Sequence, residues 1–213
     1  LSGENINKDV IVISADNVIF TGFKIVGHQE YPYMTSTTIT SSYCKINNNT
    51  FLGKSNIPDI VGIVVQIKFP ASHNLFENNS MRDGMIETKK SDYNIIKRNI
   101  LNGGSICLFE SSSFNTISYN QIEKSGPGIS MGEAKSNTIS YNTVTHCDYG
   151  VLILTSKEFV YTRNNRNHFL YNDFNCNKRN VFINYKGKCQ GKHNFWGSSD
   201  LMGINWISPL PRP

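Results

Sequence analysis

The 213-residue sequence predicts an all-β chain, a right-handed single-stranded parallel β-helix of about eight coils of 20–22 residues with two longer loop insertions. Three observations predict it. One Asn recurs between apolar residues at a near-constant step. A short apolar run, usually opened by Gly, recurs upstream of that Asn. The composition favours strands and turns: 27 residues are Asn, and Ile, Val, Thr, Tyr and Phe outweigh Ala and Glu.

The Asn pattern comes first, because internal repeats decide architecture before local structure does. It reads apolar, two variable positions, Asn, one variable position, apolar. It appears as Ile46-Asn49-Phe51, Phe76-Asn79-Met81, Ile96-Asn99-Leu101, Ile117-Asn120-Ile122, Ile139-Asn142-Val144, Phe169-Asn172-Phe174 and, degenerate, Gly191-Asn194-Trp196. At the start Phe20-Phe23-Ile25 has Phe in the Asn position. The Asn steps are 30, 20, 21, 22, 30 and 22, so the two long steps place insertions near 53–62 and 155–166. A leucine-rich framework is missing, and Asn and Gly interrupt each unit too often for a helix.

Equivalent residues of parallel strands stack at about 4.8 Å. The recurrent Asn is therefore read as structural, tolerating left-handed φ in a tight turn and bonding its neighbours amide to amide. Phe51, Met81, Leu101, Ile122, Val144, Phe174 and Trp196 should form one interior column, and Ile46, Phe76, Ile96, Ile117, Ile139 and Phe169 another. The Gly-opened strands begin at Gly62, Gly104, Gly128 and Gly150. Cys107 in the second is expected to point inward as an inert packing group. Cys147 and Cys176 follow ladder Asn residues on adjacent coils, which makes a disulfide conceivable.

Net charge is +5, with Lys and Arg scattered rather than clustered with aromatics, so nucleic acid is not an expected partner. No apolar run is long enough for a membrane-spanning helix. The five cysteines show no CxxC and no zinc-type spacing, and His28, His73, His146, His168 and His193 hold different coil positions. No metal and no cofactor is expected. The whole chain, 1–213, reads as one domain, cut from a longer protein to judge by its abrupt ends. Residues 198–213, with Asn205-Trp206-Ile207-Ser208-Pro209, read as a C-terminal cap or tail. Unpaired strand edges at the ends would permit end-to-end or side-by-side self-association.

With Ser136-Asn137-Thr138-Ile139, Tyr141-Asn142 and the closing Asn194-Phe195-Trp196-Gly197, the chain resembles the NosD-type parallel β-helix repeat family, which includes the carbohydrate-binding and sugar-hydrolysis (CASH) domains. The segment Ala15 to Ile25 resembles a first coil of that group. The resemblance spans nearly the whole chain, and its motifs specify coil geometry rather than chemistry. It implies an extracellular, cell-surface or periplasmic protein, with polysaccharide as the commonest ligand class. It also implies kinship with the periplasmic accessory protein linked to copper-site assembly in nitrous oxide reductase. The Asn-Thr-Asp, Asp-Asp, Gly-His-Gly and Arg-Ile-Lys elements of polygalacturonase-like hydrolases do not occur. The Tyr-Gly element of alginate epimerases is not continued after Tyr149-Gly150, and no pectate-lyase-like acid cluster is found.

Three groups of residues remain for function. Glu87, Glu110 and Glu133 lie 9 to 12 residues before an Asn and are flanked by Lys89, Lys90 and Lys135. They form a candidate catalytic set, in which one carboxyl raised by its neighbour would act as general acid. Tyr31 and Tyr33, in the aromatic stretch 28–34, are candidates for sugar stacking. Tyr161 and Arg163, in the insertion 157–166, are candidates of the same kind, with Lys89 and Lys135 as further ligand-binding residues. The expected function is a surface or secreted module that binds polysaccharide or serves as a non-catalytic scaffold. A polysaccharide hydrolase or lyase and a copper-assembly accessory are the alternatives.

Overall fold

The computed structural model describes residues 10–27, 35–53, 63–154, 166–183, 190–197 and 201–202. Their regular structure is entirely β, so none of them lies in a helix long and apolar enough to cross a membrane. Each coil contributes one strand to each of three parallel sheets. The first sheet has nine strands, from Ile11–Ile13 to Leu201–Met202; the second has eight, from Ile19–Thr21 to Gln190–Lys192; the third has seven, from Lys24–Val26 to Asp173–Asn175.

Seven coils are complete. The eighth keeps Arg179–Ile183 and Gln190–Lys192, but its third strand shrinks to one bridge between Asp173 and Phe195. The expected eight coils thus become seven and a partial one. Part of the expected cap, Leu201–Met202, is a first-sheet strand paired to Val181 and Phe182. The rest of 198–213, the stretch 28–34 and the bulk of both insertions lie outside the described residues.

Register builds the core directly from the repeat. Ile25, Phe51, Met81, Leu101, Ile122, Val144 and Phe174 pair rank by rank, as do Ile46, Phe76, Ile96, Ile117, Ile139 and Phe169. All are buried, each contributing roughly 1.5–3 kcal/mol. A third column runs down the first sheet through Ile39, Ile67, Thr88, Leu108, Met131 and Ile153. At Gly128 a Cβ would come within 2.3 Å of Val144 Cγ1, so the corner there admits only Gly.

The Asn ladder is present and buried. Asn79 Oδ1 accepts from the backbone N–H of Asn49 at 2.9 Å and from its Nδ2 at 3.1 Å, while Asn79 Nδ2 donates to the Ile46 carbonyl at 2.9 Å. The same set repeats through Asn99, Asn120, Asn142, Asn172 and Asn194, and Phe23 N–H donates to Asn49 Oδ1 in the first coil. The left-handed residue, however, is the one before each Asn: Asn48, Asn78, Arg98, Tyr119, Tyr141, Tyr171 and His193, at φ 53–57°. The Asn serves the turn through its inward amide, because a buried corner leaves backbone groups that need partners.

A second ladder of this kind joins Asn74, Asn94, Asn115, Asn137 and Asn167 at the corner between the first and second sheets, with Cys44 N–H donating to its first rung. Each member sits five residues before a member of the first.

Two cysteine expectations change. Cys107 pairs with Glu87 and Ser130, between the core residues Ile106 and Leu108, so it belongs to the outer face of the first sheet. It is nonetheless 3% exposed, and burial pushes its thiol up to about 12. Cys147 and Cys176 are both free. Cys147 is buried and its backbone N–H donates to Asn177 Oδ1, one residue beyond Cys176, so the register joins Cys147 to Asn177 and leaves Cys176 exposed.

Candidate functional site

The three acidic residues meet. Glu87, Lys89, Phe109, Glu110, Gly132 and Glu133 line one open groove of about 260 Å³ on the outer side of the first sheet. Glu87 and Lys89 face outward because they alternate with the inward Ile86 and Thr88. Glu110 and Glu133 follow the next two strands at the corner, both left-handed, with φ 51° and 60°. Their different distances from the Asn ladder are explained by this: Glu87 is a strand residue and the other two are corner residues. Phe109 lies over Gly132, where a Cβ would stand 2.8 Å from the ring, so Gly132 lets the aromatic floor lie flat.

The charges are paired. Lys89 Nζ stands 2.7 Å from Glu110 Oε1 and Lys90 Nζ 3.7 Å from Glu110 Oε2. The hydrogen bond from Lys89, outweighing desolvation, holds the Glu110 carboxyl below the usual range, and the same contact holds the Lys89 ammonium above its own. Glu87 accepts a hydrogen bond from the Gln66 side chain. A general acid needs the opposite shift. The groove therefore offers ionised acceptors, an ammonium donor and one aromatic face. Lys135 is exposed at the neighbouring corner, bridged through its backbone to Ser113, and does not line the groove. Tyr31, Tyr33, Tyr161 and Arg163 lie outside the described residues.

Sequence reading missed the exposed aromatics at the left-handed corners. Before the second sheet, Tyr43, His73, Tyr93 and Phe114 stack at 5.0–5.1 Å, 7–18° from parallel. After it, Tyr119, Tyr141, Tyr171 and His193 stack at 4.8–5.1 Å, within 9° of parallel. Both rows present ring edges and cover ring faces within the row. The signal was an aromatic or His directly before a ladder residue, as in Tyr93-Asn94 or Tyr119-Asn120.

Among possible metal donors, no cluster of three His, Cys, Asp or Glu exists among the described residues. His146 and Cys176 occupy the same corner on consecutive coils, each one residue past the paired Thr145 and Asn175, and both are exposed.

No curated protein matches the chain. Among solved structures it is similar to QnrB1, a plasmid-mediated fluoroquinolone resistance protein, at 12% identity over 92% of this chain and 91% of that one, with a TM-score of 0.25, too low to inform the fold. The family described as periplasmic copper-binding protein (NosD) matches residues 5–209, in agreement with the repeat, the coil geometry and an extracytoplasmic setting, and the chain belongs to that NosD family.

Proposed function

We propose that this NosD-family β-solenoid is a non-catalytic binding module that holds polysaccharide in the first-sheet groove. The observation that carries the reading is the tie between Lys89 and Glu110, which keeps the central carboxyl ionised. An ionised carboxylate accepts hydrogen bonds from sugar hydroxyls, Lys89 donates to them, and Phe109 supplies an apolar face for a ring. The paired strands beneath hold these groups at fixed spacing. Calorimetric titration with acidic and neutral polysaccharides, with product release assayed in the same samples, tests this. Binding without release, weakened about tenfold in a Lys89→Met variant, is expected. Release that disappears in Glu110→Gln makes the protein an enzyme, and silence toward every glycan ends the binding reading.

A second reading is favoured by the His146 and Cys176 pair. A thiolate beside an imidazole suits Cu(I), which accepts few ligands, and the family is described as copper-binding. Two donors suit copper carried as cargo better than a resident centre. Competition for Cu(I) against a chromophoric chelator is expected to weaken in Cys176→Ser and His146→Ala, and unchanged competition removes this reading.

A further inference from the structure

The aromatic row before the second sheet has a missing rung. Tyr43, His73, Tyr93 and Phe114 fill four consecutive ranks. In the next coil the rung is Ser136, which keeps the left-handed backbone at φ 58° but carries no ring. In the coil after that the same position is Arg166, because the residues that follow, Asn137 and Asn167, are joined by the inner ladder at 3.0 Å. One face of Phe114 is covered by Tyr93, and on the other, toward the rank of Ser136, no ring of the described residues stacks. At a strand spacing of about 4.8 Å, Phe114 and Arg166 hold ranks roughly 10 Å apart. The space between them is one rung deep, and Ser136 is its floor. Lys135 and Arg166 are both exposed beside it. Glu133, at the end of the groove, lies three residues before Ser136, so the two surfaces are neighbours on one coil.

We propose that one pyranose ring of an acidic polysaccharide, a uronate unit, fills this rung, its C–H face on Phe114 and its carboxylate toward Arg166 and Lys135. The proposal rests on the polysaccharide-binding reading and names its ligand class. A pyranose carries C–H bonds on both faces, so one such ring can stack on Phe114 at the row's 5 Å step. Two cations at the mouth select a carboxylate, which Arg can hold bidentately.

Binding of a tetragalacturonate and of an uncharged cellotetraose is compared by calorimetry on the full chain and on a Ser136→Tyr variant. Tyr already occupies the same corner conformation at Tyr43 and Tyr93, so this change completes the row without straining the fold. The expected result is uronate binding at least tenfold tighter than neutral binding, lost by at least tenfold in Ser136→Tyr, retained in Ser136→Ala, with thermal midpoints at or above that of the parent. Unchanged affinity in Ser136→Tyr, or equal affinity for the neutral oligomer, overturns the proposal. Binding that survives Ser136→Tyr but falls in Lys89→Met removes the rung and keeps the groove. A parent that binds no glycan removes both.

Discussion

Tyr119 and Asn120 are adjacent residues at one corner, and each stacks on its counterparts coil after coil, yet the two stacks do different work. The Asn amides point inward and close four hydrogen bonds per rung in a buried corner. The Tyr rings point outward and are about half exposed. Inside, the residue type is held through every coil from Asn49 to Asn194. Outside, the same corner carries Asn48, Asn78 and Arg98 before the Tyr run begins. The repeat thus fixes register for both faces but constrains chemistry only where a lost partner leaves a polar group dry. The outer face is free to vary, and ligand selectivity can be written there at little structural cost.

The largest effect expected from breaking this contrast is at the inner rung. Asn120→Ala leaves the Asn99 N–H groups without their acceptor and removes the donor to the Ile96 carbonyl, and should cost about 4 kcal/mol, read from chemical denaturation. The outer rung should be milder. Tyr141→Ser removes two exposed ring contacts and should cost about 1 kcal/mol by the same measurement. A loss at Tyr141 equal to that at Asn120 would mean that the outer row is structural too. The smallest effect belongs to the exposed Glu110 and Lys89 pair. Its carboxyl is depressed in the folded chain, so its contribution is present above the unfolded carboxylate value near 4.5 and fades as pH falls through the lower folded value. The difference in thermal midpoint between the parent and Glu110→Gln should therefore hold steady from neutral pH to about 5 and close below 4.

The coils, both interior columns and the first Asn ladder were legible because period and polarity coincide at those positions. The ladder from Asn74 to Asn167 was legible in principle, five residues upstream: an apolar residue follows each member by two, as in the first ladder, but small or polar residues such as Ala71, Ser91 and Ser112 stand three before it. Phase was harder than period. Assigning the left-handed φ to the Asn itself was an error of one residue, and the disulfide that the sequence left conceivable between Cys147 and Cys176 is missed by the same step, since an outward corner residue and its inward neighbour repeat with the same period. The groove was half legible. Glu87, Glu110 and Glu133 were visible as a set, but the clasp between Lys89 and Glu110, which reverses the expected shift, depends on which of them sit on strand and which on corner. Phe109 and Gly132 carried no signal of their own, being ordinary strand residues until Phe109 folds over the gap left by a missing Cβ.

The inner ladder also has a direction. From Asn49 to Asn194, each rung turns its Oδ1 toward the coil before, and from Asn49 to Asn172 each sends its backbone N–H to the coil after. Parallel strands allow no reversal, so these carboxamide dipoles add along the axis as peptide dipoles do along a helix, and each bond polarises the next. The solenoid is therefore an electrical vector as well as a ruler.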